Sequence, residues 1–270
     1  MKLSDLRRRL SDAGIEDADL ESRLLFSHVS GSPAHRLIGN DPDCNDPALE
    51  ELLARRLDRV PLGYLLGSVD FFRETYRVTP DVLIPRPDTE LLVEEAIGRI
   101  PANARVADLC CGSGCVGISV LANRPDLTCV SVDLSPAAVA LTEENAERNG
   151  VSDRLSAVCA DLFALPADLS GFGAILCNPP YIARSVIPTL SPEVLHEPKA
   201  ALDGGEDGLD FYRELAGRLP SLLVSGGIAL LEIGYDQAAS VTEIFSDAGC
   251  PPVIRSDYGG NPRIAILSRP

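Results

Sequence analysis

No run in this 270-residue sequence is long and apolar enough to cross a membrane, since a spanning helix needs about 20 such residues. The N-terminus, Met1-Lys2-Leu3-Ser4-Asp5-Leu6-Arg7-Arg8-Arg9, has no apolar h-region. A secretory signal is therefore not expected, and a cytoplasmic location is. Positive charge is scarce: 24 Lys and Arg stand against 40 Asp and Glu, for a net charge of −16. The deficit runs through the chain, with net −4 over residues 1–75 and net −12 over residues 76–270. Affinity for nucleic acid rests largely on Lys and Arg contacts to phosphate, so no direct nucleic-acid partner is expected. A basic protein partner suits such a field, and the acidity also favours solubility. Cys-x-x-Cys is absent although there are eight cysteines. In an intracellular setting these stay reduced. Cys110, Cys111 and Cys115 cluster, but the first two are adjacent, and none of His28, His35 and His196 lies near them in sequence. No metal site is expected.

What is present falls into two parts. Over residues 1–60, Leu3, Leu6 and Leu10 share one helical face, as do Leu20, Leu24 and Leu25, and then Leu49, Leu52, Leu53 and Leu57. Breaks fall at Gly14, Gly31-Ser32-Pro33 and Asn40-Asp41-Pro42, so a small helical bundle is predicted. Residues 61–87 read as a connector, with a hairpin turning at Arg73-Glu74. Asp88 is the expected N-cap of the helix that follows.

From Arg105 the pattern becomes strand, loop, helix, repeated. Strands are predicted at 105–109, 127–132, 155–159, 173–177 and 228–233, with two late strands at 253–256 and 263–267. Helices are predicted at 115–122, 136–149, 209–219 and 237–248. This alternation implies an α/β fold with a doubly wound, mostly parallel sheet and an antiparallel last strand. The Pro- and Gly-rich segment 182–205 is expected to lie over the site.

The most informative stretch is Asn178-Pro179-Pro180-Tyr181, which follows the apolar run Ala174-Ile175-Leu176-Cys177. The prolines stop the strand and stiffen its exit. Asn178 offers an amide oxygen as acceptor. Pro179 and Pro180 lack an N–H, so the local backbone presents carbonyls with few competing donors. Tyr181 adds an aromatic face. Such a group suits a planar NH2, whose hydrogens the acceptors take while the ring stacks on its plane. Taken singly, the tetrapeptide reads equally well as a strand-ending turn with a core tyrosine.

The predicted strand 105–109 turns through Cys110-Cys111-Gly112-Ser113-Gly114-Cys115-Val116-Gly117, which satisfies G-x-G-x-x-G. Asp133 lies about 20 residues on, where a ribose-binding acid belongs. A dinucleotide and another adenosine cofactor both fit this much. Three features favour S-adenosylmethionine. Asp108 at the loop mouth disfavours a pyrophosphate and suits an ammonium. Asp161 and Leu162 offer a carboxylate for an adenine amino group and an apolar surface for its ring. Asn178 has no obvious part in hydride transfer. Singly, Gly112 and Gly114 also fit close helix–strand packing, and Asp133 also fits capping the helix near Pro136.

With loop, acid and Asn-Pro-Pro-Tyr in this order, the chain resembles the class I methyltransferases that act on planar nitrogen. It resembles more closely the peptide chain release factor N5-glutamine methyltransferases. The likeness includes Leu62-Gly63-Tyr64-Leu65-Leu66-Gly67, the stretch from Val82 to Pro87 followed by Asp88-Thr89-Glu90-Leu91-Leu92-Val93-Glu94, Glu197-Pro198-Lys199-Ala200-Ala201-Leu202-Asp203-Gly204-Gly205, and Leu230-Leu231-Glu232-Ile233-Gly234. It departs at Cys110 and Cys111, where family members usually carry Gly and Thr, and at Leu162, often an aromatic.

The resemblance implies a seven-stranded Rossmann-like methyltransferase sheet at 76–270 behind a helical substrate-recognition domain at 1–75. It implies S-adenosylmethionine as cofactor and, as protein substrate, the glutamine of the Gly-Gly-Gln motif in class 1 release factors. The cofactor-binding set is then Asp108, Cys110, Cys111, Gly112, Ser113, Gly114, Asp133, Asp161, Leu162 and Asn178. The catalytic and substrate-binding set is Asn178, Pro179, Pro180 and Tyr181, with Arg86 on the substrate side. Asn178 Oδ1 and the Pro179 carbonyl would take the two N–H bonds and aim the nitrogen lone pair at the sulfonium methyl. The Tyr181 ring would stack, its hydroxyl idle, and no general base is evident. A ribosomal-protein glutamine methyltransferase shares these motifs. A nucleic-acid adenine N6-methyltransferase also takes a planar NH2, but the charge argues against it. A non-catalytic adenosylmethionine-binding scaffold sits poorly with an intact Asn178, and an NAD oxidoreductase is more distant.

Overall fold

The computed structural model describes residues 1–269. The chain divides into two compact units: Met1–Ser68 together with Ser191–His196, and Val69–Leu190 together with the described residues from Glu197 onward.

The first unit is helical, with α1 (Leu3–Asp12), α2 (Ala18–Ser30), α3 (Pro47–Leu57) and α4 (Leu62–Leu66). Leu6 and Leu10 of α1, Leu25 of α2, and Leu49 and Leu53 of α3 are buried in one apolar cluster. The sequence pattern is corrected in α2. Its buried face is Ala18, Ser22, Leu25 and Phe26, and Leu20 is exposed. Asp46 caps α3, accepting from the Ala48 N–H at 2.9 Å, with Pro47 at the first helical position. Arg56 of α3 is 5% exposed and bridges Glu21 (2.7 Å) and Glu193 (3.1 Å). The segment Ser191–His196 is thereby fastened to this unit, helped by His196 Nε2 at 3.0 Å from the Asp58 carbonyl.

A hairpin of β1 (Ser68–Phe71) and β2 (Glu74–Arg77) leads into the second unit, which begins at Val69. Its turn is Phe72-Arg73 rather than Arg73-Glu74, with Phe72 at φ 57°. Glu74 belongs to β2, where its carboxylate accepts from Ser119 (2.8 Å) and Asn123 (3.3 Å). The following helix α5 (Glu90–Arg99) is preceded by a 3-10 turn, Pro87–Thr89. Asp88 does not cap it; its carboxylate meets Arg263 at 3.1 Å instead.

Beyond α5 come β3 (Arg105–Leu109), α6 (Cys115–Asn123), β4 (Thr128–Asp133), α7 (Pro136–Arg148), β5 (Leu155–Cys159), β6 (Phe172–Cys177), α8 (Asp210–Leu222), β7 (Leu223–Glu232), α9 (Ala238–Asp247), β8 (Val253–Ser256) and β9 (Pro262–Ser268). The one strand that departs clearly from its sequence reading is β7. It starts at Leu223, ahead of the expected 228, because Gly226 and Gly227 form an irregularity within the strand rather than a loop before it. The strands form one sheet in the order β5-β4-β3-β6-β7-β9-β8. Pairings among β3 to β7 are parallel, and β9 runs antiparallel to both its neighbours. Seven strands, doubly wound, with an antiparallel last strand match the sequence expectation.

Strand alternation sends side chains to two apolar layers. Val106, Ala174, Leu176 and Leu230 join one; Ala107, Ile175, Cys177 and Leu231 join the other. The order of connection reverses between β3 and β6, whose ends are level, with Leu109 paired to Cys177. Open α/β sheets bind ligands in the crevice at such a switch point.

Candidate active site

A cavity of about 610 Å³ lies at that crevice, beyond the carboxyl ends of β3, β4, β5 and β6. Every residue predicted for the site lines it except Gly114, Pro179 and Tyr181. Pro80 to Arg86, with gaps, and Pro198, Ala200 and Ala201 close further sides, so part of the segment 182–205 does border the site.

The loop after β3 explains its glycines differently. Gly114 is left-handed (φ 78°), and a Cβ there would stand 2.8 Å from Thr142 Cγ2 and 2.9 Å from Ile118 Cδ1. It therefore serves packing. Gly112 is also left-handed (φ 55°), but a Cβ there would meet nothing within 4 Å. Cys110 has φ 58°, a conformation L-residues adopt at a cost, which is the physical reason a glycine suits that position. Cys111 and Cys115 are buried, and burial pushes the Cys115 thiol up to about 12. Among the described residues no three His, Cys, Asp or Glu side chains are grouped to hold a metal ion.

Asp108 is buried beneath this loop. Its Oδ2 accepts from the Gly117 N–H at 3.0 Å, and its Oδ1 has no partner among the described residues. Burial pushes its pKa up to about 7; the Gly117 N–H pulls it down and the Asp133 charge pushes it further up. Asp133, ending β4, accepts from Gly112 N (2.8 Å) and Ser135 N (2.9 Å). Capping of α7 falls to the Ser135 hydroxyl instead. Asp161 accepts from Phe163 N at 2.9 Å, and Leu162 is buried against the cavity. Arg86 reaches the cavity while paired with Glu197, a buried carboxylate that also accepts from Ile84 N at 3.2 Å. Burial raises the Glu197 pKa and Arg86 offsets part of that.

At the end of β6, Asn178 donates through Nδ2 to Thr89 Oγ1 at 3.2 Å. Its Oδ1 has no protein partner among the described residues. Tyr181 packs into the core layer, and its hydroxyl is not idle. It donates to Glu232 Oε1 at 3.3 Å. Backbone packs on backbone around this turn: a Cβ on Gly208 would stand 2.4 Å from the Tyr181 carbonyl, and one on Gly204 would stand 2.8 Å from the Pro180 carbonyl. Gln237 clamps the same turn, donating to the Tyr181 (2.9 Å) and Gly208 (3.1 Å) carbonyls. Thr89, Glu197, Glu232 and Gln237 carry no sequence-based role. Three of them stand in the motifs Asp88-Thr89-Glu90, Glu197-Pro198-Lys199 and Leu231-Glu232-Ile233, which were the only signal available.

A sheet of this order, with a glycine loop, a strand-end acid and the Asn178 and Pro180 of Asn-Pro-Pro-Tyr lining one crevice, defines a methyltransferase. Residues 87–207 match the family model described as "Methyltransferase small domain", and residues 3–67 match "PrmC N-terminal domain". The chain is 41% identical to the release factor glutamine methyltransferase of Geobacter sulfurreducens, covering 96% of this chain and 92% of that one. It is 40% identical to that of Bordetella pertussis, covering 96% and 97%. A ribosomal protein L11 methylase from Lactobacillus delbrueckii subsp. bulgaricus shares the fold, with TM-score 0.52 and 20% identity over 72% of this chain and 84% of that one. The chain belongs to the release factor glutamine methyltransferase family.

Proposed function

We propose that this chain transfers the methyl group of S-adenosylmethionine to the side-chain amide nitrogen of the glutamine in the Gly-Gly-Gln motif of class 1 peptide chain release factors. The observation that carries the reading is the state of Asn178. Its NH2 is committed to Thr89, which leaves Oδ1 as an acceptor at the cavity. An acceptor in that place suits a substrate NH2 and would do nothing for a carbonyl or a phosphate. Asn178 Oδ1 takes one N–H of the substrate amide; Pro179, whose carbonyl was expected to take the other, does not line the cavity. Held so, the amide has one orientation in which its lone pair faces the donor, and alignment supplies most of the acceleration.

The cavity residues fit the cofactor. Asp108 is a buried carboxylate with an unpartnered oxygen, and an ammonium would relieve it. A pyrophosphate would be repelled. Asp133 retains lone pairs for ribose hydroxyls beside the two it has given to backbone N–H groups. Asp161 and Leu162 suit an adenine edge and face. When bound, the cofactor supplies an electrophilic methyl on a sulfonium. That positive charge vanishes on transfer, so these carboxylates favour the donor over the product.

The first unit recognises the body of the release factor in this reading, since it carries no catalytic cluster and Arg86 and Asn178 belong to the second. The test is methyl transfer from labelled adenosylmethionine to an intact release factor, its Gly-Gly-Ala variant, a short Gly-Gly-Gln peptide, ribosomal proteins and DNA. Label is expected on the intact factor alone, with the peptide a poor substrate. Label on a ribosomal protein or DNA in preference would overturn the substrate assignment. Equal use of peptide and factor would remove the helical unit from recognition.

A further inference from the structure

Glu232 ends β7 and is 1% exposed, and its Oε2 has no hydrogen-bond partner among the described residues. A buried carboxylate with an idle oxygen is costly, and an apolar residue in its place would remove that cost. Its position accounts for its presence. Cys177 of β6 pairs with Leu231 of β7, so one step further on Asn178 lies beside Glu232. Leu176 and Leu230, two residues back on each strand, belong to the same apolar layer. Asn178 and Glu232 therefore share that face of the sheet. Residues Leu91, Leu92, Val93 and Ala96 of α5 pack into this layer, and Thr89 stands just before α5.

Thr89 is buried between the two strand ends. It accepts from Asn178 Nδ2 at 3.2 Å, and its hydroxyl favours the ionised form of Glu232. Tyr181 donates to the same carboxylate at 3.3 Å. The direction of these bonds matters. A threonine hydroxyl can donate or accept, and an asparagine amide presents either an oxygen or an NH2. A carboxylate only accepts. Its negative charge, on the same face of the sheet, draws the Thr89 proton toward itself, which leaves the Thr89 lone pair for the Asn178 NH2 and so keeps Asn178 Oδ1 turned to the cavity. Were Thr89 to donate to Asn178 instead, the amide would turn over and meet the substrate NH2 with a second NH2.

We propose that Glu232 is a positioning residue for methyl transfer, fixing Tyr181 directly and the orientation of the Asn178 amide through Thr89. The inference rests on the function proposed above. The ionised state is required, and burial pushes the Glu232 pKa up to about 7. The groups that face it are the Thr89 and Tyr181 hydroxyls and the Arg263 cation, which favour ionisation, and Asp88, which opposes it. Cys115 of α6 and Tyr212 of α8 are also near, and both are themselves held neutral by burial.

The experiment compares wild type, Glu232→Gln, Thr89→Val and Thr89→Ser. Single-turnover transfer to intact release factor is followed from pH 6 to 9, and adenosylmethionine affinity is measured separately by calorimetry. Glutamine has the shape of glutamate and can still accept from Tyr181, but it removes the negative charge that draws the Thr89 proton. Transfer by Glu232→Gln and Thr89→Val is expected to fall about 10- to 100-fold, by analogy with losing the partner that orients a metal ligand, with cofactor affinity within about twofold. Thr89→Ser should restore most of the rate. The wild-type rate should fall on the acid side with a midpoint near 7, and Glu232→Gln should lack that limb. Transfer by Glu232→Gln at the wild-type rate and with the wild-type pH profile overturns the proposal, as does a defect confined to cofactor affinity. If Glu232→Gln does not fold, Thr89→Val with serine rescue decides the matter in the same way. Failure of the wild type to label the Gly-Gly-Gln glutamine would instead sink the proposed function itself.

Discussion

Replacing Gly112 and Gly114 by alanine separates two reasons for a glycine in one loop. Both residues are left-handed, so each alanine carries a backbone cost of about 1–2 kcal/mol, offset by about 0.4–1 kcal/mol from the stiffer unfolded chain. At Gly114 the new methyl would also stand 2.8 Å from Thr142 Cγ2, 2.9 Å from Ile118 Cδ1 and 3.0 Å from Thr142 Oγ1. Thr142 and Ile118 are both fully buried, so neither has room to withdraw. Overpacking of this kind adds about 1–3 kcal/mol, and Gly114→Ala should lose roughly 2–4 kcal/mol. At Gly112 nothing lies within 4 Å, so the loss should be no more than about 1.6 kcal/mol. That methyl instead enters the space at the cavity wall and should weaken adenosylmethionine binding by about tenfold or more, roughly 1.4 kcal/mol. Urea denaturation measures the first effect and calorimetric titration the second. Equal stability losses in the two variants, or wild-type cofactor affinity in Gly112→Ala, would refute the division of roles.

Asn178→Ala removes the acceptor aimed at the reacting amide and should slow single-turnover transfer about 10²–10³-fold, by analogy with loss of one preorganised oxyanion-hole group; cofactor affinity is measured alongside, and a defect cured by excess adenosylmethionine would count against the role. Asp133→Ala should weaken adenosylmethionine binding by about 1.5–3 kcal/mol, part of it from releasing the Gly112 N–H, and an unchanged dissociation constant would remove Asp133 from the site. Folded Asp108 keeps its proton to about pH 7, whereas an unfolded aspartate releases it near 3.9. Between those values the folded state holds the extra proton, so this group's contribution to stability falls as pH rises from about 4 to 7 and is level above. Asp108→Asn should therefore flatten the stability–pH curve in that window and stabilise the ligand-free protein at pH 8 by on the order of 2–4 kcal/mol while impairing cofactor binding; destabilisation at pH 8 would contradict the burial argument. Arg56→Ala strands Glu21 in a partly buried position, while Glu193 keeps Arg59, and should lower stability by about 2–4 kcal/mol in thermal denaturation.

The sequence alone determined the sheet and most of the residues that line the cavity, because the signals there are local. Apolar runs of strand length ended by glycine or proline place β3, β4, β5 and β6, and the site residues follow at their carboxyl ends. The same local reading puts Gly112, Asp133, Asp161 and Asn178 at strand ends, and these four line one crevice. What it missed depends on register and on contacts far apart in the chain. The longer β7 turns on how Gly226 and Gly227 lie against β6. Leu20 carries the right spacing for α2, yet only packing decides which face is buried. Asp88 has the chemistry of a cap, but Arg263, far along the chain, takes its carboxylate. Gly112 and Gly114 look alike in sequence and differ only in whether Thr142 and Ile118 stand behind them. Glu232 sits in a motif that reads as the end of a buried strand. Its place beside Asn178 exists only once β6 and β7 pair in register, since hydrogen bonding between strands, not spacing within one, brings a residue 54 positions away to the same face of the sheet.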